Sequence, residues 1–354
     1  MIYIGKNSFL LNQIADDWAN RLNIFLTSTG HRYSVSYDDP NNPKLKLKEN
    51  CTSYREKMLA QIRHSPIPDN EKPMGIACLN RFFARLNYYA KASLEDMLFI
   101  QHIFNIFFAN QENVKNLLSD IFTKLYEDFT AHIPNNLSIP IAYYFIEKLE
   151  VHTCPYCNRT FTFSIQGRKK RIRPEFDHFY DKAQNPLLAV SFYNLIPSCP
   201  ICNHAKRTDS LHFNPYLYEF KGKFKVFGKS TKTEPAKPLI GDELFRTEQW
   251  GDIKLDTPDK REIEDMEVLG LDGLYKMHND YVRDIVEKAQ AYSDPIKESL
   301  TNTFQGAGHS PQQVFDFVWG KNLDTVRHIN HPLSKLTRDI LEQLNIIKDD
   351  HTIN

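Results

Sequence analysis

Two Cys-x-x-Cys pairs, Cys154-Pro155-Tyr156-Cys157 and Cys199-Pro200-Ile201-Cys202, stand 41 residues apart (158–198) in a chain of 354. Each x-x spacing lets two sulfurs approach one ion from a tight turn, and four thiolates suit tetrahedral Zn²⁺. Folding must therefore bring both pairs to one point, closing a loop longer than that of a plain zinc ribbon. Cys51 and Cys78 lie alone, so an extracellular disulfide framework is the weaker reading and a reducing compartment the stronger. A hydrophobic fraction of 41% is that of a globular protein, and the length allows two or three domains. Residues 1–6 lack a basic region followed by a long apolar run, and the apolar stretch 97–109 is interrupted by Gln101, His102 and Asn105. The expectation is a cytoplasmic protein without a membrane span.

Around the paired cysteines the pattern is mostly helical. Leu11, Ile14, Trp18, Leu22 and Phe25 recur at spacings of three and four, which predicts a packing helix over 8–28. Tyr33 to Tyr37 alternates, the cluster 38–43 marks a loop, and helical signals then run to about residue 150. Within them Ser93 with Asp96 resembles a capping arrangement, and Val114, Leu117, Leu118, Ile121 and Leu125 repeat the helical period. Phe104, Phe107 and Phe108 read as core. Thr160 to Ile165 alternates polar with apolar residues, Gln166-Gly167 offers a turn, and Ile172 to Phe176 can return. The prediction is a β-hairpin whose far end carries Asp177-His178. Lysines 221, 223, 225, 229 and 232 suggest an exposed connection up to Pro238. Helices are then expected along the stripe Leu274, His278, Tyr281, Ile285, Ala289 and Tyr292, from Ser310-Pro311, and from Leu333 to Leu344. Pro332 places His328 and His331 in a loop rather than in a helical metal pair.

Between the cysteine pairs lie residues suited to phosphodiester hydrolysis, which needs an activated water, a metal ion and something to orient the base. His178 can accept a proton near neutral pH, and Asp177 is a hard oxygen ligand for Mg²⁺ or Mn²⁺. Asn194 and Asn203 are neutral: one can orient an imidazole, the other can give a metal a second oxygen without adding charge. The net charge of zero gives no support for nucleic-acid binding, but its distribution does. Arg168 to Arg173 holds five cations in six residues, and Lys169, Lys170, Arg171, Arg173 and Lys206 are the candidate phosphate contacts. His152 and His212 fit neither cysteine pair by spacing and read as surface or supporting residues.

Asp177-His178, Asn194-Leu195 and Cys199 to Lys206 together resemble the HNH endonuclease motif. The likeness implies a ββα-metal fold in which His178 is the general base, Asn194 supports it, and Asp177 and Asn203 hold the catalytic Mg²⁺ or Mn²⁺. Asn203 stands where many members have His, with His204 beside it. A wider likeness, carried by residues 153–159 (TCPYCNR), 177–180 (DHFY), 188–198 and Asn214-Pro215-Tyr216, is to HNH nuclease subunits of Septu-type and retron-associated anti-phage systems. It spans about residues 145–220 and implies an ATPase partner of the ABC/SMC-like class. The chain has no G-x-x-x-x-G-K-[ST] match, which is compatible with ATP hydrolysis residing elsewhere.

The expected fold class is α+β: mainly α, with a small zinc-stapled ββα-metal centre. Expected domains are an N-terminal helical lobe (1–145), the nuclease domain (146–220) and a C-terminal helical lobe (221–354). The expected function is metal-dependent endonuclease activity, on DNA before RNA, in a defence complex. The rivals are a zinc-knuckle nucleic-acid-binding or adaptor subunit without catalysis, and a nuclease acting on RNA such as tRNA.

Overall fold

The structure, a computed structural model, describes residues 2–4, 8–29, 32–167, 170–218, 220–231, 235–292, 294–319 and 325–347. Helices and short two-stranded sheets are mixed, so the fold class is α+β. Packing groups the chain into two units, one of Asn7–Glu150 with Ser164–Pro197, the other of Met1–Lys6, Val151–Phe163 and Ser198–Asn354. Segment 146–220 therefore contributes to both.

In the first unit α1 (Ser8–Thr27) buries the expected stripe Leu11, Ile14, Trp18, Leu22 and Phe25. The strands β1 (Tyr33–Asp39) and β2 (Asn42–Cys51) form an antiparallel hairpin, so the helical reading after residue 43 is corrected. Lys44-Leu45-Lys46-Leu47-Lys48 alternates with the period of a strand. Next come α2 (Tyr54–Arg63), α3 (Lys72–Ala84), α4 (Leu86–Ala90), α5 (Leu94–Phe107), α6 (Glu112–Ala131) and α7 (Ile141–Leu149). The Ser93–Asp96 pair closes a capping box on α5, satisfying two end donors that a helix otherwise leaves unmet. Trp18 sits edge-on to Phe129 of α6 and Phe145 of α7, at centroid distances of 5.0 and 4.9 Å.

The predicted hairpin shrinks to β3 (Ile165–Gln166) with β4 (Arg171–Ile172), two residues a strand. Asp177-His178 lies instead on a separate strand, β5 (Glu175–His178), which pairs with β6 (Leu195–Ser198). Pro174 ahead of β5 has no N–H to continue a ladder, which fits the break between the two pairs.

In the second unit α8 (Pro200–Lys206) follows β6 after Cys199 alone, with Pro200 at its first position. Then come β7 (Lys223–Gly228), β8 (Trp250–Asp256), α9 (Lys260–Val268), α10 (Leu271–Lys276), α11 (Asn279–Ala291), α12 (Asp294–Gly306), α13 (Pro311–Trp319) and α14 (Ser334–Gln343). The expected exposed connection thus holds an antiparallel strand pair, β7 with β8. Phe224 and Val226 are buried, while Lys223 and Lys225 pair with Glu342 (2.9 Å) and Asp256 (2.6 Å). The free edge of β7 is closed by α14: Phe224 N donates to Asp339 (2.8 Å) and Val226 N to Gln343 (3.0 Å). Covering an edge in this way removes a template for unwanted pairing. Among the described residues no helix is long and apolar enough to cross a membrane.

Candidate metal centre and candidate active site

The first cysteine pair sits in a small turn whose arms are tied by Cys154 N to Thr160 O (3.0 Å) and Thr162 N to His152 O (2.9 Å). Asn158, at φ 48°, takes the left-handed conformation that lets the turn close. Its carboxamide donates to His328 O (2.9 Å) and His331 O (3.0 Å) and accepts from Lys335 N (3.0 Å). Asn158 falls within the run 153–159 but has no metal or catalytic role by spacing; in the structure it anchors the knuckle to the start of α14. The second pair lies at the N-terminus of α8, Cys199 at the cap and Cys202 in the first turn.

The four sulfurs are buried and lie within 4.8 Å of one another, with Cys157 and Cys199 3.9 Å apart. A Zn–S bond of about 2.3 Å in a tetrahedron puts sulfurs about 3.8 Å apart, so the cluster could hold a zinc ion. Backbone N–H groups face the sulfurs, Arg159 N to Cys157 at 3.4 Å and Cys199 N to Cys154 at 3.3 Å. Such donors stabilise thiolate charge. Burial pushes the Cys154 thiol well up, and a divalent ion supplies the charge that makes a buried thiolate tenable. His152 and His212 are exposed and apart from the cluster, His152 against the Phe163 ring and His212 2.7 Å from Glu264.

On β5, Asp177 and His178 are both buried. The His178 Nε2 lies 3.0 Å from the carbonyl of Ala189. A carbonyl can only accept, so the Nε2 carries hydrogen. Tyr126 of α6 packs edge-on to the ring at 4.6 Å. Burial pushes the Tyr126 phenol up to about 12, so it stays neutral beside the imidazole.

Asn194 does not hydrogen-bond that imidazole. Its side chain accepts from Tyr180 N (2.7 Å) and donates to Tyr180 O (3.0 Å) and to Leu188 O (3.0 Å). Phe179 N donates to Asn194 O (2.8 Å), extending the pairing of β5 and β6. The indole of Trp18 donates to Val190 O (2.8 Å). Three successive carbonyls, of residues 188, 189 and 190, are thus each taken by a side chain: Asn194, His178 and Trp18. Support of His178 by Asn194 is indirect, through the loop whose carbonyl orients the ring. Ala189 acts by its backbone, so its side-chain type gives no hint of this role.

Asn203 is half-buried on α8, with its neighbour His204 exposed; successive helical residues point about 100° apart. Lys206 is completely buried, which corrects its assignment: an enclosed ammonium presents no surface to a phosphate. Lys170 and Arg171 are exposed near the short hairpin's turn. Arg173 donates to Pro174 O at 2.8 Å and lies 5.8 Å from the Phe176 ring centre. Lys169 lies outside the described residues. No family model, curated protein or solved structure matches the chain.

Proposed function

We propose that the protein is a zinc-stapled, Mg²⁺- or Mn²⁺-dependent HNH-type endonuclease acting on DNA. The observation that carries this is the His178 imidazole, held through Nε2 on the Ala189 carbonyl, with Asp177 next to it in the chain. His178 takes the proton of the attacking water. Asp177 would hold the hard ion, and a divalent ion at that carboxylate neutralises charge developing on the phosphate. Asn194 keeps the loop in the one register that leaves residue 189 facing the ring. Asn203 is taken as second metal ligand on the motif alone. The four-cysteine zinc is structural, since four sulfurs leave no open position for a substrate.

On the same likeness we propose that the nuclease serves bacterial anti-phage defence beside an ATPase partner. Supercoiled plasmid and tRNA, each incubated with Mn²⁺, Mg²⁺ or chelator and with or without the ATPase from its own locus, test the assignment. Metal-dependent nicking of plasmid is expected. Cleavage of tRNA alone would make it an RNA nuclease, and binding without cleavage under every condition would favour the adaptor reading.

A further inference from the structure

Helix α5 is apolar on two sides. It buries Met97, Ile100 and Phe104 in its own unit, and it turns Phe99 (56% exposed) and Phe107 (60% exposed) outward, with Leu98 and Ile106 beside them. One apolar stripe is what a packed surface helix needs; a second, exposed one marks an interaction face.

Between this helix and α3 runs a groove of about 590 Å³, with Tyr89 of α4 also lining it. Met74, Cys78 and Arg81 line it from α3, and Phe99, Ile103 and Phe107 from α5. Spacings of three and four put each set on one face of its helix. With Arg85 just past the end of α3, the α3 wall is about 16 Å long at 1.5 Å per residue, the length of three helical turns. Phe99 and Phe107 belong both to the groove and to the exposed face. An occupant that covers both is therefore larger than a small ligand.

Charge narrows the choice further. Arg81 and Arg85 are exposed, and no carboxylate is among the groove's lining residues. In a two-fold contact with a second copy of the chain the same patch faces itself, and the groove's lining brings no carboxylate to meet Arg81 and Arg85. We propose that the groove between α3 and α5 docks an acidic amphipathic helix of a partner protein. Its apolar side chains at i, i+3 or i+4, and i+7 fill the groove, and its carboxylates pair with Arg81 and Arg85. This proposal does not rest on the nuclease reading.

Two fluorescein-labelled designed peptides of about 16 residues, long enough for the groove, test it by fluorescence anisotropy on the full chain. Both carry Leu at i, i+3, i+4 and i+7; one is flanked by Glu, the other by Lys. The Glu peptide is expected to bind saturably and about tenfold or more tighter than the Lys peptide. The order should reverse in the Arg81→Glu, Arg85→Glu double variant, and Phe107→Ser should weaken binding about tenfold or more. Circular dichroism confirms that the variants are folded, and the comparison of the two peptides on the wild-type chain needs no variant at all. Equal affinity for both peptides, no binding of the Glu peptide, or no reversal would overturn the proposal. So would saturable binding of dodecanoate in place of the peptide, which would make this a small-ligand site. Light scattering that shows a wild-type dimer dissociated by Phe107→Ser would overturn it in favour of a second copy.

Discussion

Replacing Asn194 by Ala tests whether the loop that carries Ala189 is held by the hydrogen bonds described. The side chain is fully buried and makes three bonds, of 2.7, 3.0 and 3.0 Å, to backbone groups of Tyr180 and Leu188. At about 1 kcal/mol each, their loss costs about 3 kcal/mol, and unmet buried groups push the cost higher. With a urea slope of about 2 kcal/mol per M, the midpoint should fall by about 1.5 M. The chain has three tryptophans, so 5-fluorotryptophan labelling gives one ¹⁹F resonance each. The Trp18 resonance reports the first unit directly, because its indole donates to Val190 O in the same loop. Asn194→Asp keeps the acceptor for Tyr180 N but loses both donors, and it turns a carboxylate toward two carbonyls. It should be at least as destabilising as Ala. In either folded variant, His178 should lose its fixed Nε2–H tautomer by ¹⁵N shift, while zinc content stays unchanged. A midpoint shift below about 0.3 M, or an Asp variant as stable as wild type, would refute the clamp.

Elemental analysis of protein purified without chelators should find one zinc per chain; under half an equivalent would count against the four-cysteine site. Cys202→Ser should lose that zinc and destabilise the second unit, read at Trp250 and Trp319, since structural zinc supplies on the order of 10 kcal/mol to a small fold. A fully stable, zinc-free variant would contradict this. Changing Lys170 and Arg171 to Gln should flatten the dependence of log DNA affinity on log salt by up to about 2 units, at about 0.9 per phosphate contact. An unchanged slope would make that turn a solvated surface.

Local signals were legible where one residue decides one bond. Ser93 and Asp96 cap α5 as their spacing implies, and the stripe from Leu11 to Phe25 is the buried face of α1. The cysteine pairs converge as metal chemistry requires. Alternation was masked in two places. The runs 44–48 and 223–227 both alternate with the period of a strand, but the first lies in a stretch whose signals point to helix, and the lysines of the second suggest an exposed connection. In β7 the Lys223 and Lys225 charges are matched by Glu342 and Asp256, partners that only the fold brings near. Lys206 shows the same limit from the other side, since nothing local distinguishes a buried ammonium from an exposed one. The orientation of His178 was also out of reach, because it depends on a backbone carbonyl and on bonds from Trp18 and Asn194, distant in sequence.

The central claim is that His178 is the base of a metal-dependent nuclease. Single-turnover cleavage of plasmid DNA in saturating Mn²⁺, compared between wild type and a zinc-loaded, folded His178→Ala variant, tests it most directly. Loss of a general base should slow cleavage by about 10²–10⁴ while DNA affinity is unchanged. Equal rates in the two proteins would contradict the assignment.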